Sequence, residues 1–223
     1  MKIGIIGSGV VAQTLGTTWI SLGHEVAIGT RDPNKVDDKK MMAASLREWR
    51  AQTENRGKVV TFQEAAAFGD VLVNATGGTV SIEALKQAGA DKVGGKVLVD
   101  IANELDHSRG MPPRALAADD RCLAEKIQAA FPNLKVVKTL NTISAIVMVN
   151  PKGLAGGDHT VFLSGNDAGA KAQVAELLRG LGWSDILDLG DVSTARGPEM
   201  YMGLWLRLWG ATRTPAVNIK VQR

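Results

Sequence analysis

Ile3-Gly4-Ile5-Ile6-Gly7-Ser8-Gly9-Val10-Val11-Ala12 is the stretch that decides how the rest of the chain is read. A β-branched run ends in a Gly7-x-Gly9-x-x-Ala12 turn, and a helical pattern follows at once. Gly7 permits a tight turn, Gly9 lets a backbone come close to a pyrophosphate, and Ala12 lets the helix lie against a sheet. The free amides at the start of that helix supply an anion site. An isolated turn of this kind is as easily an ordinary glycine-rich loop. The strand before it and the helix after it favour a dinucleotide cradle.

Outward from that turn, apolar β-branched runs alternate with helical patterns. The expected strands are Lys2–Ile6, Glu25–Ile28, Val59–Phe62, Val71–Asn74, Val97–Ile101, Lys135–Leu140, Thr160–Leu163 and Ile186–Leu189. The expected helices are Val10–Leu22, Val36–Gln52, Thr79–Ala88, Asp119–Ala130 and Ala168–Leu181. Several strands are nearly continuous apolar runs, as when helices cover both faces of a parallel sheet. The alternation implies right-handed βαβ crossovers and an α/β fold. The expectation is a Rossmann-type, doubly wound, mainly parallel sheet over residues 1–192, with a small helical extension over 193–223. Gly23 and Gly182 stand at helix C-cap positions, and Pro132 stops the helix before Lys135–Leu140.

Composition narrows the function classes. With 223 residues and 45% hydrophobic content, the chain can bury the core of one large domain, and disorder is not expected. One cysteine makes neither an internal disulfide nor a cysteine-based metal site, and the three histidines lack metal-ligand spacing. No metal is therefore expected. No apolar stretch approaches the roughly 18 residues that span a bilayer, and the opening residues lack a signal-peptide pattern. These features imply a soluble, cytoplasmic protein with no membrane partner. The net charge of +3 is split: residues 31–58 carry eight basic and five acidic groups, and residues 196–223 carry five and one. Without an aromatic-studded basic motif, it gives no reason to expect nucleic acid.

The end of the second expected strand bears on the cofactor. An NAD site places an Asp or Glu about 20 residues beyond the glycines, to accept bonds from the ribose 2′-hydroxyl. This chain has Ile28-Gly29-Thr30-Arg31-Asp32-Pro33-Asn34-Lys35. Arg31 and Lys35 can converge on a 2′-phosphate, which rewards bidentate arginine bonding. Asp32 would favour NAD if it faced inward; the Asp-Pro step is also a simple turn opening the next helix. On balance the sequence implies NADP(H).

In a doubly wound sheet, ligands gather beyond the carboxyl ends of the strands. Asn74-Ala75-Thr76-Gly77-Gly78, Ile101-Ala102-Asn103-Glu104 and Leu140-Asn141-Thr142-Ile143-Ser144-Ala145 fall there. Their small and amide side chains leave room for a flat nicotinamide and can bond its carboxamide. Strand-end turns explain any one of them equally well. Ala75, Thr76, Gly77, Ala102, Asn103 and Asn141 are the candidates on the cofactor side. His24, at the turn between the first helix and the second strand, reads as structural or solvated, and His159, in a loop before a strand, as incidental. His107 is the one histidine expected near the crevice, with Asp106 able to polarise it. Cys122, in a helical pattern, is expected to be buried or inert.

No sharp acid, base or nucleophile emerges. Hydride transfer between two bound redox rings needs close stacking more than a general acid, whereas alcohol dehydrogenation requires a recognisable proton acceptor. The missing machinery therefore favours reduction of a flavin-like acceptor. In the last 28 residues, Tyr201, Leu204 and Leu208 can share one helical face, with Trp205 and Trp209 beside them. So large an aromatic surface is expected to pack on the sheet domain, line the cleft or meet a second subunit.

Taken together, IGIIGSGVVAQTLG, GHEVAIGTRDPNK, DVLVNAT, VVKTLNTISA, VFLSGNDAGAKAQVAELLRGLGW and LDLGDVSTARGPEM resemble the NADP oxidoreductases dependent on the deazaflavin coenzyme F420. The strand-end pattern Val137–Ala145 is also similar to the NADPH-binding domain of six-transmembrane epithelial metalloreductases. The resemblance implies a phosphate cradle at Gly7, Ser8, Gly9, Val10 and Val11, and a 2′-phosphate site at Thr30, Arg31 and Lys35. It implies nicotinamide beside Ala75, Thr76 and Gly77, and the acceptor beside Asn141, Ser144 and Ala145; His107, from its place in the sequence alone, is a further acceptor-side candidate. It also implies direct hydride transfer in a cleft closed by the C-terminal part, and a homodimer.

Two departures touch the acceptor. Archaeal members carry Ile-Pro-Trp where this chain has Thr76-Gly77-Gly78, and His-Thr-Ile-Pro-Ala where it has Asn141-Thr142-Ile143-Ser144-Ala145. F420 is the leading acceptor, with FMN or FAD, a quinone or a ferric chelate behind it. A non-catalytic NADP-binding sensor is the alternative from another class.

Overall fold

The computed structural model describes every residue except 39–41, 109, 112 and 117–119. Its amino-terminal half follows the alternation in the sequence: β1 (Lys2–Ile6), α1 (Val10–Ser21), β2 (Glu25–Thr30), α2 (Leu46–Gln52), β3 (Lys58–Thr61), α3 (Phe62–Phe68), β4 (Val71–Asn74), α4 (Ser81–Ala88), α5 (Ala90–Val93) and β5 (Val97–Asp100). A short hairpin, β6 (Leu105–Asp106) and β7 (Arg114–Ala115), interrupts it. The remainder is α6 (Leu123–Ala130), β8 (Lys135–Lys138), α7 (Ala145–Val149), β9 (Val161–Gly165), α8 (Ala168–Gly180), β10 (Ile186–Asp188) and α9 (Arg196–Thr212). Helices thus recur throughout the chain and are not confined to its last segment.

One eight-stranded sheet runs in the order β10-β9-β8-β5-β4-β1-β2-β3. Its order from β3 to β5 (3-2-1-4-5) is Rossmann-like, and every pairing is parallel except β8 with β9. The two strands expected at Thr160–Leu163 and Ile186–Leu189 are present but run against the rest of the sheet. Strand alternation divides the core. Ile3, Ile5, Val71, Val73, Val97 and Val99 join residues of α1, α7 and α8, while Leu72, Leu98 and Val136 join residues of α3, α4 and α6.

Several boundaries move from expectation, each for a visible reason. The helix expected over Val36–Gln52 begins only at Leu46, because Ser45 and Glu48 form a capping box: Glu48 N donates to Ser45 Oγ and Ser45 N to Glu48 Oε2. Part of that expected helix, residues 39–41, lies outside the described residues. A second box, Thr61 with Glu64, ends the β3 region and opens α3, which the sequence reading missed by extending the strand to Phe62. The helix expected from Asp119 starts at Leu123, and Asp119 itself is outside the described residues. The strand expected to reach Leu140 stops at Lys138, since Leu140 adopts φ 58°, a left-handed conformation that turns the chain. The expected caps are present: Gly23 and Gly182 have φ 85° and 98°.

The last segment does not bury the face expected of it. Met202, Trp205 and Leu206 turn inward, with Trp209 and Tyr201 packed at their edge, whereas Leu204 is 56% exposed. The set 202, 205, 206 and 209 has helical spacing and meets Leu105 and Ala115 of the β6–β7 hairpin. Trp205 Nε1 donates to the Val217 carbonyl at 3.2 Å, so the tail is held against α9. Farther on, Thr160 N donates to Ile219 O, and Asp185 accepts from Thr160 Oγ1, Arg223 and Lys220. These bonds, the Thr160 hydroxyl foremost, hold the Asp185 carboxyl down at about 2.

His159 is not an incidental loop residue. It is 3% exposed, its Nε2–H donates to Pro151 O at 2.9 Å, and its Nδ1 accepts from Asn218 Nδ2 at 2.7 Å. Its ring meets Trp183 edge-on with centroids 4.9 Å apart. It joins the tail to the β9 end of the sheet.

Candidate active site

The glycine-rich turn sits where β1 hands over to α1. Gly7 has φ 120°, and a Cβ there would lie 2.4 Å from the Ala75 carbonyl oxygen, so only glycine fits. At Gly9 a Cβ would meet nothing within 4 Å, which leaves open space before the helix. Gly9 is the N-cap of α1 and no side chain caps that end. The first-turn amides, including those of Val10 and Val11, therefore have no intrahelical acceptor. Buried Ala12 lets α1 approach the sheet.

Two adjoining recesses open from this point. One, of about 370 Å³, is lined by Gly7, Ser8, Gly9, Thr30 and Arg31 together with Ala75, Thr76 and Gly77, and on its outer side by α4 residues that include exposed Glu83. Arg31 is exposed there, and its guanidinium makes no hydrogen bond or ion pair with a described residue. Lys35 does not line this recess; its backbone amide closes a turn onto Asp32 O. Asp32 is used in the same turn, its Oδ1 accepting from Asn34 N at 3.0 Å. The donor set — open helix amides, a hydroxyl and a free guanidinium — fits a pyrophosphate and a 2′-phosphate.

The other recess, of about 400 Å³, is an apolar cleft. Ala75, Thr76 and Gly77 line it as well, so the two are continuous. The cleft gathers all three strand-end segments, Ala75–Gly77 after β4, Ala102 and Asn103 after β5, and Asn141, Ser144 and Ala145 after β8, with Val10 and Val11 at the end nearer the glycine turn. His107 also lines it, and Met202, Trp205 and Trp209 form the far wall. Its described lining contains no Lys, Arg, Asp, Glu, Tyr or Cys. Asp106 is engaged elsewhere, its Oδ1 accepting from Ser108 N at 2.8 Å.

The amides around the cleft are largely committed to the protein. Asn74 is fully buried, donating to Asp100 Oδ1 at 2.8 Å and Ser81 Oγ at 3.0 Å while accepting from Thr76 Oγ1 at 2.7 Å. Asn103 Nδ2 donates to Asn141 O at 2.7 Å, and Asn141 Nδ2 donates to Asn103 Oδ1 and to Pro198 O. These side chains hold strand ends in place before they can serve a ligand. Ser144 differs: its Oγ is buried and has no hydrogen-bond partner among the described residues.

Beneath the cleft lies a cluster that the sequence reading missed. Lys138, Asp100 and Glu199 have side-chain exposures of 0%, 0% and 9%. Lys138 Nζ reaches Asp100 Oδ2 and Glu199 Oε1 at 2.9 Å each and donates to Ala102 O at 2.5 Å. Glu199 also accepts from Leu123 N at 2.7 Å and Ala124 N at 3.1 Å, capping α6 from 76 residues away. Burial pushes the Asp100 carboxyl above its ordinary range, with Lys138 opposing. Burial disfavours the Lys138 ammonium, but the two carboxylates more than offset it and hold it above the usual lysine range. A lysine and an aspartate closing otherwise apolar strand runs, VVK and VLVD, were the available signal. Cys122 is buried next to this cluster; burial first, then the Glu199 charge, raise its thiol to about 12, leaving it unreactive.

A Rossmann-like sheet whose first helix, without a side-chain cap, opens onto one recess and then an apolar cleft fits the class that the chain's likenesses show: an NADP-dependent oxidoreductase. Residues 2–104 match the family described as NADP oxidoreductase, coenzyme F420-dependent. A crystal structure of a candidate F420-dependent NADP-reductase from Arthrobacter sp. FB24 is 49% identical, with a TM-score of 0.93 and 100% of each chain covered. The chain belongs to this F420-dependent NADP oxidoreductase family.

More distant likenesses agree. Metalloreductase STEAP3 of Rattus norvegicus is 30% identical over 216 residues, 97% of this chain, and metalloreductase STEAP2 of Homo sapiens is 27% identical over 220 residues. This chain spans 38% of the length of either relative. An imine reductase from Streptomyces aurantiacus, 15% identical with a TM-score of 0.63 over 96% of this chain and 63% of its own, shares the fold. Among the described residues, no helix is long and apolar enough to cross a membrane.

Proposed function

We propose that the protein transfers hydride between NADP(H) and F420 or a related flavin-like ring, as a cytoplasmic homodimer. In this reading residues 1–192 form a doubly wound nucleotide-binding domain and residues 193–223 a cleft element. The observation that carries it is continuity: Ala75, Thr76 and Gly77 border both the phosphate-fitting recess and the apolar cleft. A dinucleotide lying along that path would place its two ends in environments of matching polarity.

When bound, NADPH supplies the hydride. The chain's part is binding and exclusion of water. The open amides of α1 and the Arg31 guanidinium hold phosphates. The strand-end turns leave flat space beside Gly77 and Ala102, and the orphan Ser144 hydroxyl offers a hydrogen bond to a ring substituent. Trp205 and Trp209, with ring centroids 5.5 Å apart, form an apolar wall that keeps water from the transfer. No carboxylate or amine from the described residues lines the cleft, and Lys138 is locked beneath it, which supports ring-to-ring transfer over alcohol oxidation.

Arg31→Ala is expected to weaken NADPH binding by about 1–3 kcal/mol, roughly five-fold to over a hundred-fold, and to leave NADH nearly unchanged. Calorimetric titration of both nucleotides tests this, and equal losses would remove Arg31 as the phosphate reader. Turnover is followed by nicotinamide absorbance with F420, FMN, a quinone and a ferric chelate. NADPH binding without turnover of any ring would leave a non-catalytic sensor. Exposed Met200 and Leu204 on α9 support the homodimer; a monomer mass by light scattering at micromolar concentration would refute it.

A further inference from the structure

The geometry points to a subsite, built by Arg114 and Arg207, that takes the anionic tail of the ring acceptor. A recess of about 650 Å³ lies beside the apolar cleft, and Pro113 and Leu206 line both. Arg114 on β7 and Arg207 on α9 face into it with Ala115, Gly203 and Asp106. Neither guanidinium makes a hydrogen bond or ion pair with a described residue, and both residues are exposed. Gly203 precedes Arg207 by one helical turn and adds no side chain on that side, where a Cβ would meet no described atom within 4 Å. Asp106 is the one carboxylate in the described lining, and it already accepts from Ser108 N.

The pairing of the two recesses sets the class of substrate. The described lining of the cleft contains no Lys, Arg, Asp or Glu, which suits a flat, neutral ring. The neighbouring recess offers two planar cations to whatever continues from that ring. Guanidinium groups bind phosphate and carboxylate in bidentate fashion, and two unpaired ones beside an apolar slot reward an acid group on the same molecule. A ring bearing a phosphate or carboxylate tail, as in FMN or F420, satisfies both. Riboflavin or an uncharged quinone satisfies only the first. Pro113 and Leu206 are the shared edge over which ring and tail would pass.

This subsite rests on the ring-acceptor reading proposed above, and one experiment separates the two. FMN and riboflavin share a ring and differ by a phosphate, so each is titrated by fluorescence quenching against the full chain saturated with NADP⁺. FMN is expected to bind roughly tenfold more tightly than riboflavin. In the double variant Arg114→Gln/Arg207→Gln that advantage is expected to disappear, with riboflavin and NADPH affinities held within about twofold. F420, with its phosphate and glutamate carboxylates, is expected to lose at least as much as FMN. If both flavins bind wild type equally, or the variant weakens both alike, the tail subsite is overturned while the ring site stands. If neither flavin nor F420 binds, the ring-acceptor reading falls and the subsite with it.

Discussion

Lys138→Met is expected to destabilise the protein by about 3–5 kcal/mol, a large fraction of the 5–15 kcal/mol that is roughly the stability of an ordinary domain. The ammonium is wholly buried and shared among Asp100, Glu199 and the Ala102 carbonyl. Without it two carboxylates remain out of water with no opposing charge, and that uncompensated burial, rather than the loss of one ion pair, sets the size of the effect. The urea midpoint of unfolding measures it. Adding Asp100→Asn and Glu199→Gln to Lys138→Met should restore part of the loss, since neutral amides cost less to bury than orphan charges. A single variant within about 1 kcal/mol of wild type would show that the three groups do not depend on one another. Because Lys138 also fixes the carbonyl of Ala102, NADPH affinity should fall even under conditions where the variant stays folded.

Trp205→Ala removes a side chain that is 6% exposed, and large-to-small changes of this kind cost about 3–5 kcal/mol. The expected response is local. Met202, Trp205 and Leu206 form a cluster of their own, separate from the two clusters that flank the sheet. The substitution should therefore loosen α9 and release the Val217 carbonyl from its indole donor, leaving β1, β4 and β5 protected. Hydrogen exchange resolved by segment tests this, with faster exchange confined to α9 and the tail. A uniform rise across the sheet would show that α9 and the sheet unfold as one unit. Trp205 also lines the cleft, so acceptor KM should rise well before NADPH affinity changes.

Much of the candidate site was legible because its chemistry is local. The tight turn at Gly7, the open helix start at Gly9 and the free guanidinium after β2 each depend on a few consecutive residues. Arg31 and Thr30 line the recess expected of them, and Lys35 does not, because the Asp32–Lys35 turn carries it past the strand end. The amides were legible as residues but not in their partners. Nothing near Asn141 in sequence shows that its NH₂ is taken by Asn103 and by Pro198, 57 residues away.

The sequence by itself determined the glycine turn, most of the strand positions and, in Ser45-x-x-Glu48 and Thr61-x-x-Glu64, helix starts that the hydrophobic pattern obscured. These are contacts between residues a few positions apart, which backbone geometry alone brings together. Only the tertiary structure decided the reversed direction of β9 and β10, the inward face of α9, the capping of α6 by Glu199 and the joining of the Gly7–Arg31 recess, the cleft and the Arg114–Arg207 recess. Strand direction and buried charge are settled by which surfaces remain uncovered once the rest has packed. That is a property of the assembled chain and of no segment within it.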